Sequence, residues 1–333
     1  AESGGHRVTG ILDGWAGLAD PAATLTRPLD RSEVRGIQAR GGTVLGSSRT
    51  NLLKRDGGLD AAEASIARLG LDALVVIGGD DTLSVAAGLA KRGAAVVAVP
   101  KTMDNDVRNT EYCIGFSTAI TRAHDAIQRQ RTTVGSHERI GVFRIFGRDA
   151  GYTALYTAYV TSIRCGIPEH KFDCERMVQL LAEDKERNPS KYALVVLSEG
   201  AAWEGYKVVE YGEADDYGHK KKMNVGEVFA EELKKRAKLE AIVSDLTYDL
   251  RGGSPDFTDK LVATTFGNMA FDAILEGKSG LMAAINDGRY AMVEIPDPAL
   301  GPRHVDVATM YNLDRYRPSY QGKAGMTIFL TNP

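Results

Sequence analysis

The chain has 333 residues, of which 43% are hydrophobic and 26% charged, with a formal net charge of -3. That length suggests two lobes or one large α/β unit with a sizeable core. The near-neutral charge gives no electrostatic reason to expect nucleic acid or an anionic membrane surface as partner, so any anionic ligand must be gripped by local basic residues. No apolar run is long enough to span a bilayer, and the opening Ala1-Glu2-Ser3-Gly4-Gly5-His6 lacks the charged and apolar regions of a signal peptide. Cys113, Cys165 and Cys174 are odd in number and lack metal-ligand spacing, so they read as reduced thiols of a cytoplasmic protein.

In chain order, the repeated unit is an apolar run, a polar turn and a helical pattern. A strand is expected at Ala73–Ile77, then the turn Gly78-Gly79-Asp80-Asp81 and a helix from about Thr82. A second strand, Ala94–Val99, is broken by Pro100 and followed by the polar loop Lys101 to Asp106. A helix is expected from Thr118 to Arg131, with Ala119, Ala123, Ala126 and Ile127 on one side. Strands at Ile140–Ile145 and Ala193–Leu197 end at Phe146-Gly147-Arg148-Asp149 and Ser198-Glu199-Gly200. The polar stretch from Tyr206 to Met223, with Asp215-Asp216 and Lys220-Lys221-Lys222, reads as a solvated loop before a helix Val225–Leu239. Apolar strands alternating with helices predict a mostly parallel sheet covered on both faces. Ligands of such sheets sit beyond the carboxyl ends of the strands, and the strand-end polar clusters fall there, which points to an enzyme.

Two of those clusters carry the chemistry. After a buried strand, Gly78-Gly79 lets backbone approach a ligand, and the helix that follows aims its positive end at the same place. A carboxylate there either caps the helix or meets a divalent cation bridging it to phosphate, which makes Asp80 a Mg²⁺ ligand candidate. In the neighbouring loop, alternation puts Thr102, Asp104 and Asp106 on one side. One carboxylate could accept an alcohol proton while the other orients it, and Lys101 could neutralise charge on a transferring phosphoryl group. Side by side, the two loops favour phosphoryl transfer over ordinary turns.

Together these loops resemble the phosphofructokinase family, and the resemblance runs over nearly the whole chain. Asp13-Gly14-Trp15-Ala16-Gly17-Leu18, Gly41-Gly42-Thr43-Val44-Leu45-Gly46-Ser47-Ser48-Arg49, Gly115-Phe116-Ser117-Thr118-Ala119 and Ser136-His137-Glu138-Arg139 are similar to its signatures. So are Phe146-Gly147-Arg148, Ser198-Glu199-Gly200 and Arg251-Gly252-Gly253-Ser254-Pro255, all in the family's order. NAD kinases and diacylglycerol kinases resemble the Gly-Gly-Asp loop but lack the Lys-Thr-x-Asp-Asn-Asp loop.

The resemblance implies an α/β fold of two Rossmann-like lobes with a cleft between them. It makes Asp104 the general base for the 1-hydroxyl of fructose 6-phosphate, with Asp106 supporting it. Asp80 would hold Mg²⁺, Thr102 would bond the transferred group and Arg148 would stabilise its charge. Gly79, Arg49 and Lys54 match positions near the phosphoryl donor, while Phe146, Gly147 and Glu199 would line the sugar. Arg251 would bind the 6-phosphate, with Tyr248 beside it and Arg139 reaching in from a neighbouring subunit, which implies a homodimer or homotetramer. The donor lobe would hold residues 1–115 and 255–300, and the sugar lobe residues 116–254 and 301–333. Arg131 and Glu169 match positions near an effector site of regulated bacterial members, but two residues do not make a site.

ATP-using members of the family typically carry Gly where this chain has Asp81 and Lys101. An Asp at position 81 would crowd and repel the α-phosphate of ATP, and Lys101 would supply a cation to a smaller donor. The pair resembles the pyrophosphate-dependent branch, with an ATP-dependent enzyme and a non-catalytic sugar-phosphate sensor as the alternatives. Two departures bear on the sugar. Tyr248 replaces a His common in bacterial members, and Ile242 stands near where a second trans-subunit arginine is usual, so sedoheptulose 7-phosphate enters beside fructose 6-phosphate as a substrate to test. The family also has a first strand, a Gly-Gly loop and a helix before the position of His6. The donor-side sheet of this sequence is therefore expected to lack an interior strand, with the residues that form it expected to precede Ala1 in the protein.

Overall fold

A computed structural model of the chain describes residues 1, 4–23, 25–206, 210–213 and 221–327. In chain order the elements are β1 (Thr9–Ile11), β2 (Thr26–Pro28), α1 (Gly58–Leu69), β3 (Leu74–Gly78), α2 (Asp80–Lys91), β4 (Val96–Pro100) and α3 (Phe116–Ser136). There follow β5 (Ile140–Ile145), α4 (Tyr152–Thr161), β6 (Arg164–Gly166), α5 (Cys174–Arg187), β7 (Ala193–Ser198), β8 (Glu210–Tyr211) and β9 (Lys221–Lys222). The chain continues through α6 (Val225–Ala237), β10 (Ala241–Leu246), α7 (Phe257–Leu275), β11 (Leu281–Asn286), β12 (Arg289–Glu294), α8 (Val307–Met310), β13 (Tyr311–Asn312) and β14 (Arg317–Pro318).

Two four-stranded sheets dominate. One has the order β12-β11-β4-β3, with β3, β4 and β11 parallel and β12 antiparallel to β11. The β11-β12 reversal uses Asp287 and Gly288, both at positive φ, the backbone that a two-residue hairpin turn requires. The other sheet, β10-β5-β7-β6, is parallel throughout. Strands β4 and β7 are buried at every residue, as expected of parallel strands with helices on both faces. β3 is the edge of its sheet and its burial alternates, leaving Val75 44% and Ile77 60% exposed.

The largest part of the core is an apolar cluster under the second sheet that takes in Val97, Val99, Ala283 and Ile285 of the first, and a second cluster, including Leu74, Val76, Val85 and Leu89, joins β3 to α2. The long α3 joins it through Phe116, Ala119, Ala123 and Ile127, spaced three or four residues apart on one helical face. All three cysteines are buried free thiols.

Several expected boundaries shift. The helix expected at Thr118–Arg131 runs from Phe116 to Ser136, and α2 starts at Asp80 rather than near Thr82. The stretch expected as a loop contains a short antiparallel pair, β8-β9. Asp215, Asp216 and Lys220 lie outside the described residues.

Candidate active site

β3 and β4 end side by side, Gly78 opposite Pro100, and the amide of Lys101 extends the pairing by donating to the Gly78 carbonyl at 2.8 Å. This register brings the two chemistry-bearing loops together. Gly79 is the N-cap of α2 and makes no side-chain cap bond, so the first amides of the helix are available to an anion at its positive end. Gly79 has φ -87°, and a β-carbon there would meet nothing closer than Thr102 at 3.5 Å. The fold alone does not require glycine at 79, whereas close approach of a ligand would. Asp80 and Asp81 occupy the first turn of α2. Burial pushes the Asp80 carboxyl up, and the neighbouring Asp81 adds to this against the opposing charge of Arg108.

In the second loop burial alternates: Met103, Asn105 and Val107 point inward, while Thr102, Asp104 and Asp106 are partly open. The amide of Asp104 donates to the Thr102 hydroxyl at 3.2 Å. Asn105 is left-handed at φ 55° and fully buried, and its side chain ties the loop to the returning chain. Its Nδ2 donates to the Glu111 carbonyl at 3.0 Å, and its Oδ1 accepts from the Cys113 amide at 2.8 Å.

Like charges crowd this loop. Asp104 is pushed up to about 6, chiefly by burial, with Arg251 and Arg148 holding it down and Glu199 pushing further up. Asp106 is also pushed up, by burial and then by Asp104 and Asp80. Asp104 Oδ1 is buried without a hydrogen-bond partner. Burial, and then the charge of Arg251, pushes the Lys101 ammonium down, although the residue as a whole is exposed.

The residues expected to line a sugar come from the ends of β5 and β7. The Glu199 amide donates to the Ile145 carbonyl at 2.8 Å, and the Gly200 amide to the Gly147 carbonyl at 3.0 Å, locking the two strand ends together. Gly147 sits at φ 133°, and a β-carbon there would collide with Ser198 Oγ, so only glycine fits the turn. Arg251 lies over the Phe146 ring at 4.2 Å and 5.5 Å from the Tyr248 ring, and Phe146 and Tyr248 meet edge to face. Tyr248 is 69% exposed. The Arg251 Nε donates to the Met103 sulfur at 3.5 Å, which links this cluster to the loop that carries Thr102, Asp104 and Asp106.

Of the other expected residues, Arg139 lies apart. Arg139 precedes β5, at the opposite end of the strand from Phe146, and pairs with Glu240 at 2.7 Å. Six strand residues place it roughly 20 Å from the cluster within one protomer. Arg49 and Lys54 are exposed on the segment before α1. Arg131 and Glu169 attend to opposite ends of α4: Arg131 donates to the Thr161 carbonyl at 2.5 Å, and Glu169 accepts from the Gly151 amide at 2.9 Å.

Some residues that shape the site are not singled out by the sequence. Arg144 and Asp245 face each other across β5 and β10 with two bonds of 3.0 and 2.9 Å, and Arg144 also stands 3.6 Å from Glu199. Asp259 is buried and accepts from the Tyr112 hydroxyl at 2.6 Å, the Gly115 amide at 2.7 Å and the Thr118 amide at 2.9 Å. It thereby caps α3 from another helix. A signal for it exists in Asp256 and Asp259 at the start of α7, a capping pattern three residues apart.

The family-wide pattern described as "Phosphofructokinase" matches residues 1–274 of this chain. A pyrophosphate--fructose 6-phosphate 1-phosphotransferase of Streptomyces coelicolor is 41% identical over 308 residues, covering 91% of this chain and 88% of its own. An ATP-dependent 6-phosphofructokinase 2 of the same organism is 39% identical over 299 residues, covering 88% and 85%. Among solved structures, phosphofructokinase from Saccharomyces cerevisiae superposes with a TM-score of 0.76 at 23% identity, covering 90% of this chain, which spans 41% of that longer one. Both the matched pattern and relatives of this identity and coverage lead to one conclusion: the chain belongs to the phosphofructokinase family.

Proposed function

We propose that this enzyme moves a phosphoryl group from inorganic pyrophosphate to the 1-hydroxyl of fructose 6-phosphate. In this reading Asp104 Oδ1, buried and with no protein partner, takes the hydroxyl proton. The freed oxygen bonds to the terminal phosphorus of pyrophosphate as the bridging P–O bond breaks, giving fructose 1,6-bisphosphate and inorganic phosphate. Asp106 orients the base, the Thr102 hydroxyl and Lys101 hold the transferred group, and Arg148 balances the charge that develops. The α2 amides, Gly79 and Asp81 define the donor side, with Arg49 and Lys54 at its outer edge. Phe146, Gly147, Glu199, Tyr248 and Arg251 define the sugar side, the guanidinium of Arg251 matching the two oxygens of a phosphate.

The residues fit Mg²⁺. Asp80 and Asp106 carry carboxyls pushed up by burial and by neighbouring carboxylates, a repulsion that a cation would relieve. Among the described residues no group of three His, Cys, Asp or Glu could cage a metal. That suits an ion held by one carboxylate, Asp80, together with water and substrate phosphates. When bound, the ion neutralises phosphate charge.

We assign the first sheet to a donor lobe and the second to a sugar lobe that closes on it. Arg139 is too far from its own protomer's cluster, so it serves a neighbour in a homodimer or homotetramer. Free, buried thiols and the lack, among the described residues, of a helix able to cross a membrane fit a cytoplasmic enzyme.

One observation carries the donor choice, because named relatives using either donor match about equally. Asp81 stands in the first turn of α2 and Lys101 adjoins Asp104, so the phosphate side bears an extra carboxylate and an extra ammonium. The carboxylate repels the additional phosphates of a nucleotide, and the ammonium serves a compact donor. Replacing both, Asp81→Gly with Lys101→Gly, should lower kcat/KM with pyrophosphate by about 100-fold, roughly the loss of one charge-assisted contact, and raise kcat/KM with ATP. Unchanged pyrophosphate activity in that double variant would sink the donor assignment.

A further inference from the structure

Arg303 lies between β12 and α8 and is 5% exposed. Its Nη2 donates to the Asn105 carbonyl, 198 residues away, at 2.5 Å and also lies 3.5 Å from the Glu111 carbonyl. Its own amide donates to the Asp106 carbonyl at 2.6 Å. The guanidinium lies 4.6 Å over the Tyr152 ring, and the Tyr152 hydroxyl donates to the His304 carbonyl at 2.5 Å, so ring and arginine brace each other.

These bonds land on the backbone between the two aspartates. Asn105 holds a left-handed conformation that a non-glycine residue adopts only at some cost. Released from its ties, it would relax toward extended backbone, turning the side chains on either side of it. An arginine is also costly to bury unless its donors are used, and here Nη2 is spent on main-chain carbonyls of this loop.

We propose that Arg303 is the positioning residue of the catalytic loop: its guanidinium fastens the Asn105 carbonyl, beside the main-chain bond to Asp106, so that Asp104 and Asp106 stand at the angle transfer requires. This rests on the reading of Asp104 as base given above. Arg303 touches neither substrate in that reading, so its loss should act on kcat rather than on substrate affinity.

The test compares the full-length wild type with R303M, which loses the Nη2 bonds to the Asn105 and Glu111 carbonyls but keeps the main-chain bond to Asp106, and R303K, which keeps a cation but not the planar fork. Turnover of fructose 6-phosphate is measured with saturating pyrophosphate and Mg²⁺, and amide hydrogen exchange is followed across residues 103–115. A displacement near 1 Å costs about 100-fold in rate, so R303M should lose about that much kcat and R303K about 10-fold, each with KM within about threefold. Exchange should quicken at Cys113, whose amide is held by Asn105, while α3 and β5 keep their protection. If R303M does not fold, R303K alone decides. Wild-type kcat in R303K, a loss carried by KM, or protection lost through α3 and β5 as well would each overturn the proposal. A wild-type enzyme inactive with both pyrophosphate and ATP would defeat the functional reading instead. The exchange arm would then decide, with unchanged loop protection in R303K counting against the clamp.

Discussion

Replacing Asp104 with Asn is expected to lower kcat about 10³- to 10⁴-fold while changing KM for fructose 6-phosphate less than about threefold. That loss lies at the upper end of what a positioned general base contributes. Asn matches Asp in size but cannot take up the proton. The effect should also appear in the pH profile. Asp104 is pushed up to about 6, and a general base must be ionised to take up a proton. The wild-type rate should therefore fall as pH drops through about 6, and D104N should lack that acid limb. Stability moves the other way. A carboxyl raised on folding favours the folded state most at low pH, and this advantage is lost as pH rises through the folded pKa. Removing the buried charge should thus hold or raise the melting temperature at neutral pH, which separates a chemical loss from unfolding. A wild-type rate in D104N, or a rate loss explained by a lower melting temperature, would remove Asp104 as base.

The second large effect is expected at Arg251. R251A should raise KM for fructose 6-phosphate about 10- to 100-fold, the worth of hydrogen bonds to a charged group. Because only one end of the substrate is released, kcat should fall less than about tenfold. R251K should recover part of the affinity, since it restores the cation without the planar fork. The Arg251 charge also holds the Asp104 carboxyl down, so R251A should move the acid limb to higher pH. Unaltered KM in R251A would place the sugar phosphate elsewhere.

What the sequence disclosed and what it withheld have different physical origins. β5 was legible to the residue because its run Ile140–Ile145 is apolar but for Arg144 and bounded by polar turns. The facing of Thr102, Asp104 and Asp106 was legible from alternation, even though the left-handed Asn105 lies between the two aspartates. The true start of α3 was hidden because its capping carboxylate, Asp259, is more than 140 residues away in the chain. Arg303 was hidden for the same reason, since Gly301-Pro302-Arg303 reads locally as a turn and its partners arrive only with the tertiary fold. The Arg144–Asp245 pair depends on the β5-β10 register, which no local pattern specifies. Local chemistry shows at strand ends, whereas the contacts that hold it in place are made over long separations.

The most direct test of the account is the initial rate on fructose 6-phosphate with Mg²⁺, measured on the same enzyme with pyrophosphate and with ATP. The account predicts a clear preference for pyrophosphate in kcat/KM. A preference for ATP would contradict the roles given to Asp81 and Lys101, and activity with neither donor would contradict the proposed reaction itself.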